Sequence, residues 1–307
     1  MKKILKLSLL AAIAAVSVNT AAFAASFSDM PEDAVMRGAL ENAVENKLLN
    51  GYENGEIRPD GNITRAEMSA IITRCLGAQK TADISGFKDV SKDEWYYDVL
   101  SKGVAMGAFK GDGSNLNPDS FITMQETFAV VSRIFDLTEM DENAIAGLTD
   151  KDKIDDWAKE YVVKVFTGGY WNGTELHPND YITRGEFAIL MDRLVQIYVN
   201  EPGTYKELAD GNVVIRTDGA VFENVTNTKK IIIGDGVTGD TKFTDSDLNV
   251  ISVRGGTFIP DNTGITLIRL IVEGTTANVA TAKPKAKEKY YYGIKGTYYT
   301  GGTITLK

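Results

Sequence analysis

The chain has 307 residues, 43% hydrophobic and 24% charged, an ordinary globular composition long enough for roughly two domains. Acidic residues outnumber basic ones 42 to 33, giving a net charge of −9, so nothing draws the chain as a whole to nucleic acid or an anionic membrane. One histidine, His177, and one cysteine, Cys75, confine Ser-His-Asp or Cys-His catalysis to His177 and exclude His-rich or multi-cysteine zinc sites; neither a metal nor a cofactor is expected.

The first element reads as a targeting segment. Lys2, Lys3 and Lys6 precede an apolar run at 7–18, and Ala22-Phe23-Ala24 has the small-x-small pattern that signal peptidase needs. Residues 1–25 are therefore expected to be a cleaved secretory signal. The apolar run is too short for the roughly 20 residues of a spanning helix, and no second such run predicts a membrane span after cleavage. Cleavage removes three lysines and no acids, taking the net charge from −9 to −12. A single cysteine rules out an internal disulfide in an exported chain, so packed cores must hold it together.

Three repeats follow, at 26–80, 83–140 and 146–200. Ile63-Thr64-Arg65-Ala66-Glu67, Ile122-Thr123-Met124-Gln125-Glu126 and Ile182-Thr183-Arg184-Gly185-Glu186 recur at spacings of 59 and 60. Pro59, Pro118 and Pro178 stand four residues before each Ile, and Arg74, Arg133 and Arg193 eleven after it. Phe27-x-Asp29, Phe87-x-Asp89 and Leu148-x-Asp150 open the units. Within each repeat the pattern predicts helix, Gly-rich loop, helix. The first helix carries Met36, Leu40, Ala43 and Val44, then Trp95, Val99, Leu100 and Val104, then Trp157, Tyr161, Val162 and Val165 as its apolar stripe. Gly and Asn in the loops supply positive φ, and the prolines bar helix until the second start. That second helix carries Ile71, Ile72, Cys75 and Leu76, with matching residues at Val130, Val131, Ile134 and Phe135 and at Leu190, Met191, Leu194 and Val195. Cys75 reads as a small buried hydrophobe.

Thr64-x-x-Glu67, Thr123-x-x-Glu126 and Thr183-x-x-Glu186 are capping boxes, which accounts for Thr and Glu. Arg65 and Arg184 are not accounted for, because a cation in the first helical turn lies at the positive end of the macrodipole. Two explanations stay open: an anionic ligand gripped jointly by the guanidinium and free helix N-terminal amides, or an ion pair with Asp29, Asp89 or Asp150 of a neighbouring repeat.

The pattern Phe-x-Asp, aromatic helix, Asn-Gly-Tyr-x-x-Gly-x-Ile-x-Pro and Ile-Thr-Arg-Ala-Glu closely resembles the S-layer homology (SLH) domain, whose usual arrangement is three tandem copies. The resemblance implies an all-α, pseudo-threefold prism with ligand grooves between adjacent repeats, anchoring an exported protein non-covalently to the cell wall. The family's usual ligand is a pyruvylated secondary cell-wall polysaccharide, held by the motif arginine, the Asp and aromatic of the first helix, and the Gly-loop backbone. Carried over, this implicates Arg65 and Arg184; Asp29, Asp89 and Asp150; Trp95 and Trp157; and Gly51, Gly111 and Gly169. Repeat two departs with Met124 in place of Arg, and repeat one with Val35 in place of Trp, so two competent grooves are expected rather than three. His177 aligns with Arg58 and Asn117 and reads as an exposed loop residue.

Residues 26–200 carry 17 basic and 30 acidic residues, but 201–307 carry 13 and 12, and Glu201-Pro202-Gly203 marks the boundary. Beyond it short β-branched runs separated by Gly, Asn and Asp predict a small all-β domain, so the fold class is multidomain α + β. Gly234-Asp235-Gly236 and Arg254-Gly255-Gly256 after such runs suggest a parallel β-solenoid of about three or four turns, with a sandwich as the alternative. Asp235, Asp240, Asp245 and Asp247 fit turns better than any calcium-loop spacing. Lys283, Lys285, Lys287 and Lys289 read as a basic linker, and the tyrosines from Tyr290 to Tyr299 as a terminal hairpin.

The expected function is non-enzymatic wall anchoring and cell-surface display, with secondary wall polysaccharide or peptidoglycan as partner and self-assembly in a surface layer left open. Two alternatives are a wall-anchored carbohydrate-active enzyme with paired carboxylates on the β domain, and binding of polyamine-bearing peptidoglycan, which an acidic repeat region suits.

Overall fold

The computed structural model describes residues 27–260 and strand segments at 266–272, 278–279, 292–294 and 297–299. The signal segment, the lysines at 283–289, Tyr290 and Tyr291 lie outside the described residues. Two compact units divide between Tyr198 and Val199.

The first unit holds two α-helices per repeat: α1 (Ala34–Glu45) and α2 (Arg65–Cys75), α3 (Tyr97–Ala105) and α4 (Met124–Ile134), α5 (Asp156–Thr167) and α6 (Arg184–Leu194). The second helices begin where the motif places them, each on a Thr N-cap with its capping box closed. Their predicted apolar residues are all buried, Cys75 included. The first helices bury Leu40 and Ala43, Leu100, and Val162 and Val165, but the stripe reading fails at the tryptophans. Trp95 precedes α3 and is 59% exposed, and Trp157 is 51% exposed in the first turn of α5; their neighbours Tyr96 and Ala158 turn inward instead. A helical step of about 100° separates consecutive side chains, so burying Ala158 turns Trp157 outward.

Helices pair between repeats. Helix α2 packs on α3, α4 on α5, and α6 returns to α1, closing a ring. At its centre the amide of Ile122 donates to the carbonyl of Ile63, Ile63 to Ile182, and Ile182 to Ile122, each at 3.1 Å. All three side chains are fully buried, so the recurring Ile is the seam of a pseudo-threefold ring of helices. The recurring late arginines tie each repeat internally. Arg74, Arg133 and Arg193 donate Nη1 hydrogen bonds to the carbonyls of Leu48, Ala108 and Tyr170, the residues just after the left-handed first-helix caps Lys47, Gly107 and Gly169.

In the second unit the strands from β1 to β11 alternate between two sheets. One holds β1 (Ile197–Val199), β3 (Val213–Ile215), β5 (Thr226–Ile233), β7 (Asp247–Val253), β9 (Thr266–Val272), β11 (Tyr292–Ile294) and β12 (Thr297–Tyr299) in that order. The other holds β2 (Gly203–Tyr205), β4 (Ala220–Glu223), β6 (Asp240–Thr244), β8 (Thr257–Pro260) and β10 (Asn278–Val279). Pairing is parallel from β3 to β11 and throughout the second sheet, which is a β-solenoid and excludes the sandwich. Strands β11 and β12 form the expected antiparallel hairpin, Tyr292 opposite Tyr299. The second sheet has five rungs, more than the three or four expected, because rungs are as short as the 17 residues from Tyr205 to Phe222. Val213, Ile231, Ile251 and Leu270 align as one buried column. Tyr205, Phe222 and Phe243 form another, with ring centroids 5.2 and 4.6 Å apart, and Phe258, two positions off that register, packs on Phe243 at 5.6 Å. Of the four loop acids, Asp245 occupies a left-handed bend and Asp235 sits in a turn as expected, where it also makes a buried ion pair with Arg254 at 2.7 Å. Asp240 and Asp247 open strands β6 and β7 instead of turning the chain.

Candidate functional site

The three junctions between repeats are built alike. Each second helix inserts its N-terminus into the turn of the next repeat. The amides of Arg65 and Ala66 donate to the carbonyls of Ser120 and Pro118, those of Met124 and Gln125 to Asp180 and Pro178, and those of Arg184 and Gly185 to Gly61 and Pro59. The capping box satisfies the remaining two amides of each end, as Thr64 and Glu67 show. The expectation of free N-terminal amides for an anion therefore fails: all four orphan donors that a helix start leaves are taken by protein.

The arginine side chains reach into the same junctions. Arg184 donates Nε to the Ile57 carbonyl at 2.9 Å and Nη2 to the Asn50 carbonyl at 3.0 Å, with its guanidinium 5.0 Å from the Tyr52 ring centre. It is 5% exposed and makes no ion pair among the described residues, so its charge is balanced only by dipoles. Arg65 donates Nε to the Leu116 carbonyl at 3.0 Å, lies over Phe109, and meets Glu126 at 3.4 Å. Burial lowers its pKa, and Glu126 acts in the opposite direction. The ion-pair alternative is thus right in kind for Arg65 but not in partner: it uses the capping Glu126, not an Asp. Met124 fills the third position, buried at 5% exposure. Beside it Gln125 donates Nε2 to Asp155 and Asn179 and accepts from the Asp155 amide, an amide latch that the motif comparison missed.

The opening aspartates shape the loops that the arginines grip. Asp29 accepts from the amides of Ile57 and Arg58, Asp89 from Leu116 and Asn117, and Asp150 from Leu176 and His177, at 2.6 to 2.9 Å. In each case the second amide belongs to a residue in the left-handed region, Arg58, Asn117 or His177, with φ of 53 to 54°. His177 is the exposed loop residue expected. At Asp150 burial raises the pKa, but the Leu176 and His177 amides outweigh it and leave the carboxyl below its usual range. A lowered folded pKa gives stability that is present above the unfolded pKa and is lost as pH falls through the folded one. Asp150→Ala is therefore expected to cost about 2–3 kcal/mol near neutrality by orphaning two amides. Its deficit against the wild type should shrink below about pH 4, measured by urea unfolding across pH.

A Cβ at Gly51 would lie 2.0 Å from Phe27, and one at the left-handed Gly111 would lie 2.4 Å from the Asn115 carbonyl and 2.8 Å from Phe87. Gly169 is misaligned with them. It is the left-handed residue just after the α5 C-cap Gly168, equivalent to Gly107; Gly173, three residues after Tyr170 as Gly111 is after Ala108, stands at their position. The tandem glycines in 168–173 made the wrong alignment attractive. Val35, Trp95 and Trp157 are all exposed, at 58, 59 and 51%. The junctions thus bring Arg65 onto the loop that Asp89 holds and Arg184 onto the loop that Asp29 holds.

Residues 26–69, 86–127 and 147–188 match the S-layer homology domain. The chain is an SLH-domain protein with three tandem repeats. It is 29% identical over 203 residues to the surface-layer 125 kDa protein of Lysinibacillus sphaericus, covering 64% of this chain and 17% of that one. It is 29% identical over 160 residues to the cellulosome-anchoring protein of Acetivibrio thermocellus, covering 48% and 35%. Cell surface glycoprotein 1 of the same organism is 33% identical over 165 residues, 48% and 7%. The chain thus spans a minor part of these relatives' lengths. The SLH match and these surface-protein relatives make the chain a secreted protein of the cell surface.

Proposed function

We propose that the SLH module binds an anionic secondary wall polysaccharide, of the pyruvylated kind, through the grooves at Arg184 and Arg65, with Arg184 dominant. The observation that carries this is the Arg184 guanidinium: buried, hydrogen-bonded only to carbonyls and without a carboxylate among the described residues. A carboxylate ligand completes its charge balance. Arg65 already pairs with Glu126 at 3.4 Å, and Met124 offers no charge, so the three junctions rank in that order. Exposed Trp95 and Trp157 add apolar surface for sugar rings. The β-solenoid serves as spacer or assembly surface without catalysis; its interior columns are filled with packed side chains and Asp235 is engaged by Arg254.

Co-sedimentation with purified cell walls tests the reading. Binding is expected to fall on hydrofluoric acid stripping of the secondary polymer and in Arg184→Ala, with a smaller loss in Arg65→Ala. Undiminished binding to stripped walls would transfer the role to peptidoglycan or its polyamine. Release of reducing sugar from walls by the wild type would overturn the non-catalytic assignment.

A further inference from the structure

Outside the isoleucine seam three residues stand in equivalent places around the pseudo-threefold axis: Asn62, Phe121 and Tyr181. Each is bridged antiparallel to the N-cap threonine of another repeat, Asn62 to Thr183, Phe121 to Thr64 and Tyr181 to Thr123. Alternation along these extended segments turns the following Ile inward and these three outward. Phe121 and Tyr181 remain 45 and 50% exposed, with ring centroids 5.4 Å apart and planes tilted by 54°.

The fold does not require aromatics here. Repeat one makes the same bridge and buries the same Ile with Asn62 in that place. Two open rings on hydrogen-bonded backbone form a rigid apolar surface that costs free energy in water and gains it when covered. The rim decides what covers it. Asp60, Asp119 and Asp180 are exposed in the three adjoining turns. The cation of those turns, Arg58, is already engaged by Glu56 at 2.9 Å, and His177 Nε2 faces Glu175 at 3.3 Å. An acidic rim repels an anionic polymer and equally repels a second copy of this acidic module. It suits a neutral pyranose, whose C–H face packs on the rings while its hydroxyls donate to carboxylates and meet the Asn62 amide.

We propose that Phe121, Tyr181 and Asn62 form an axial carbohydrate platform, separate from the arginine grooves, that stacks a neutral sugar ring of the wall glycan. The probe is the β-1,4-linked tetramer of N-acetylglucosamine, titrated calorimetrically into the purified protein. The variant is Phe121→Asn with Tyr181→Asn, which copies repeat one and is expected to fold with an unchanged melting temperature. Its affinity for the tetramer should fall about tenfold, whereas Tyr181→Phe should retain affinity and Arg184→Ala should bind the tetramer as the wild type does. The Arg184→Ala arm separates this platform from the groove reading, since either can fail alone. Absence of wild-type binding at millimolar tetramer, or equal affinity in the double variant, overturns the proposal. So does a double variant that changes only self-association in sedimentation, which would make the patch a contact between copies.

Discussion

Ile122→Pro is expected to unfold most of the helical module, not repeat two alone. The substitution deletes the amide that donates to the Ile63 carbonyl at 3.1 Å and trims a side chain with no exposed surface. A buried carbonyl left unpaired and a partly emptied core together cost about 4 kcal/mol or more. That approaches the total stability of many domains, about 5–15 kcal/mol. Because α2 packs on α3, α4 on α5 and α6 on α1, no repeat owns both members of a helix pair. Opening the seam at one point therefore loosens all three pairs. Amide hydrogen exchange should show protection falling together in α1 to α6; loss confined to α3 and α4 would mean that the repeats fold as separate units.

The β-solenoid should respond in the opposite manner. Phe243 is fully buried between Phe222 and Phe258, with centroids 4.6 and 5.6 Å away. Phe243→Ala is expected to cost about 3–5 kcal/mol through lost burial and a cavity the neighbouring rungs cannot close. In a stacked array each rung contacts only its neighbours, so the damage should be graded. Exchange is expected to rise most in β4, β6 and β8 and least in β2, while the amides of α1 to α6 keep their protection. Uniform loss along the sheet would mean that the solenoid behaves as one cooperative block.

The periodic parts of this chain were readable because their spacing has a local cause. A capping box fixes a helix start to the residue, and Thr64, Thr123 and Thr183 are all N-caps. Alternating and β-branched runs marked the strands, and stacked Gly turns marked the solenoid. What could not be read was partner choice across sequence distance. Nothing near Arg65 says that its acid is Glu126, 61 residues on, or that Asp29 serves two amides 28 and 29 residues away. The amides at the helix starts seemed available because the turns that take them lie in the next repeat. Trp95 and Trp157 fell at helical spacing by sequence, yet a shift of one residue in the true stripe left them outside. Gly169 was misplaced because repeat three spends its glycines on two jobs, a helix cap and a loop clearance, within five residues from Gly169 to Gly173.

The closure of α6 on α1 carries a consequence for how an exported chain reaches its native form. A polypeptide crossing a membrane from its N-terminus presents α1 first and α6 last. Helix α1 has no partner until the segment ending at Leu194 has emerged, so the first helix waits through two whole repeats before it can dock. The circular order of pairing thus defers the locking of the helical module until its last helix is present.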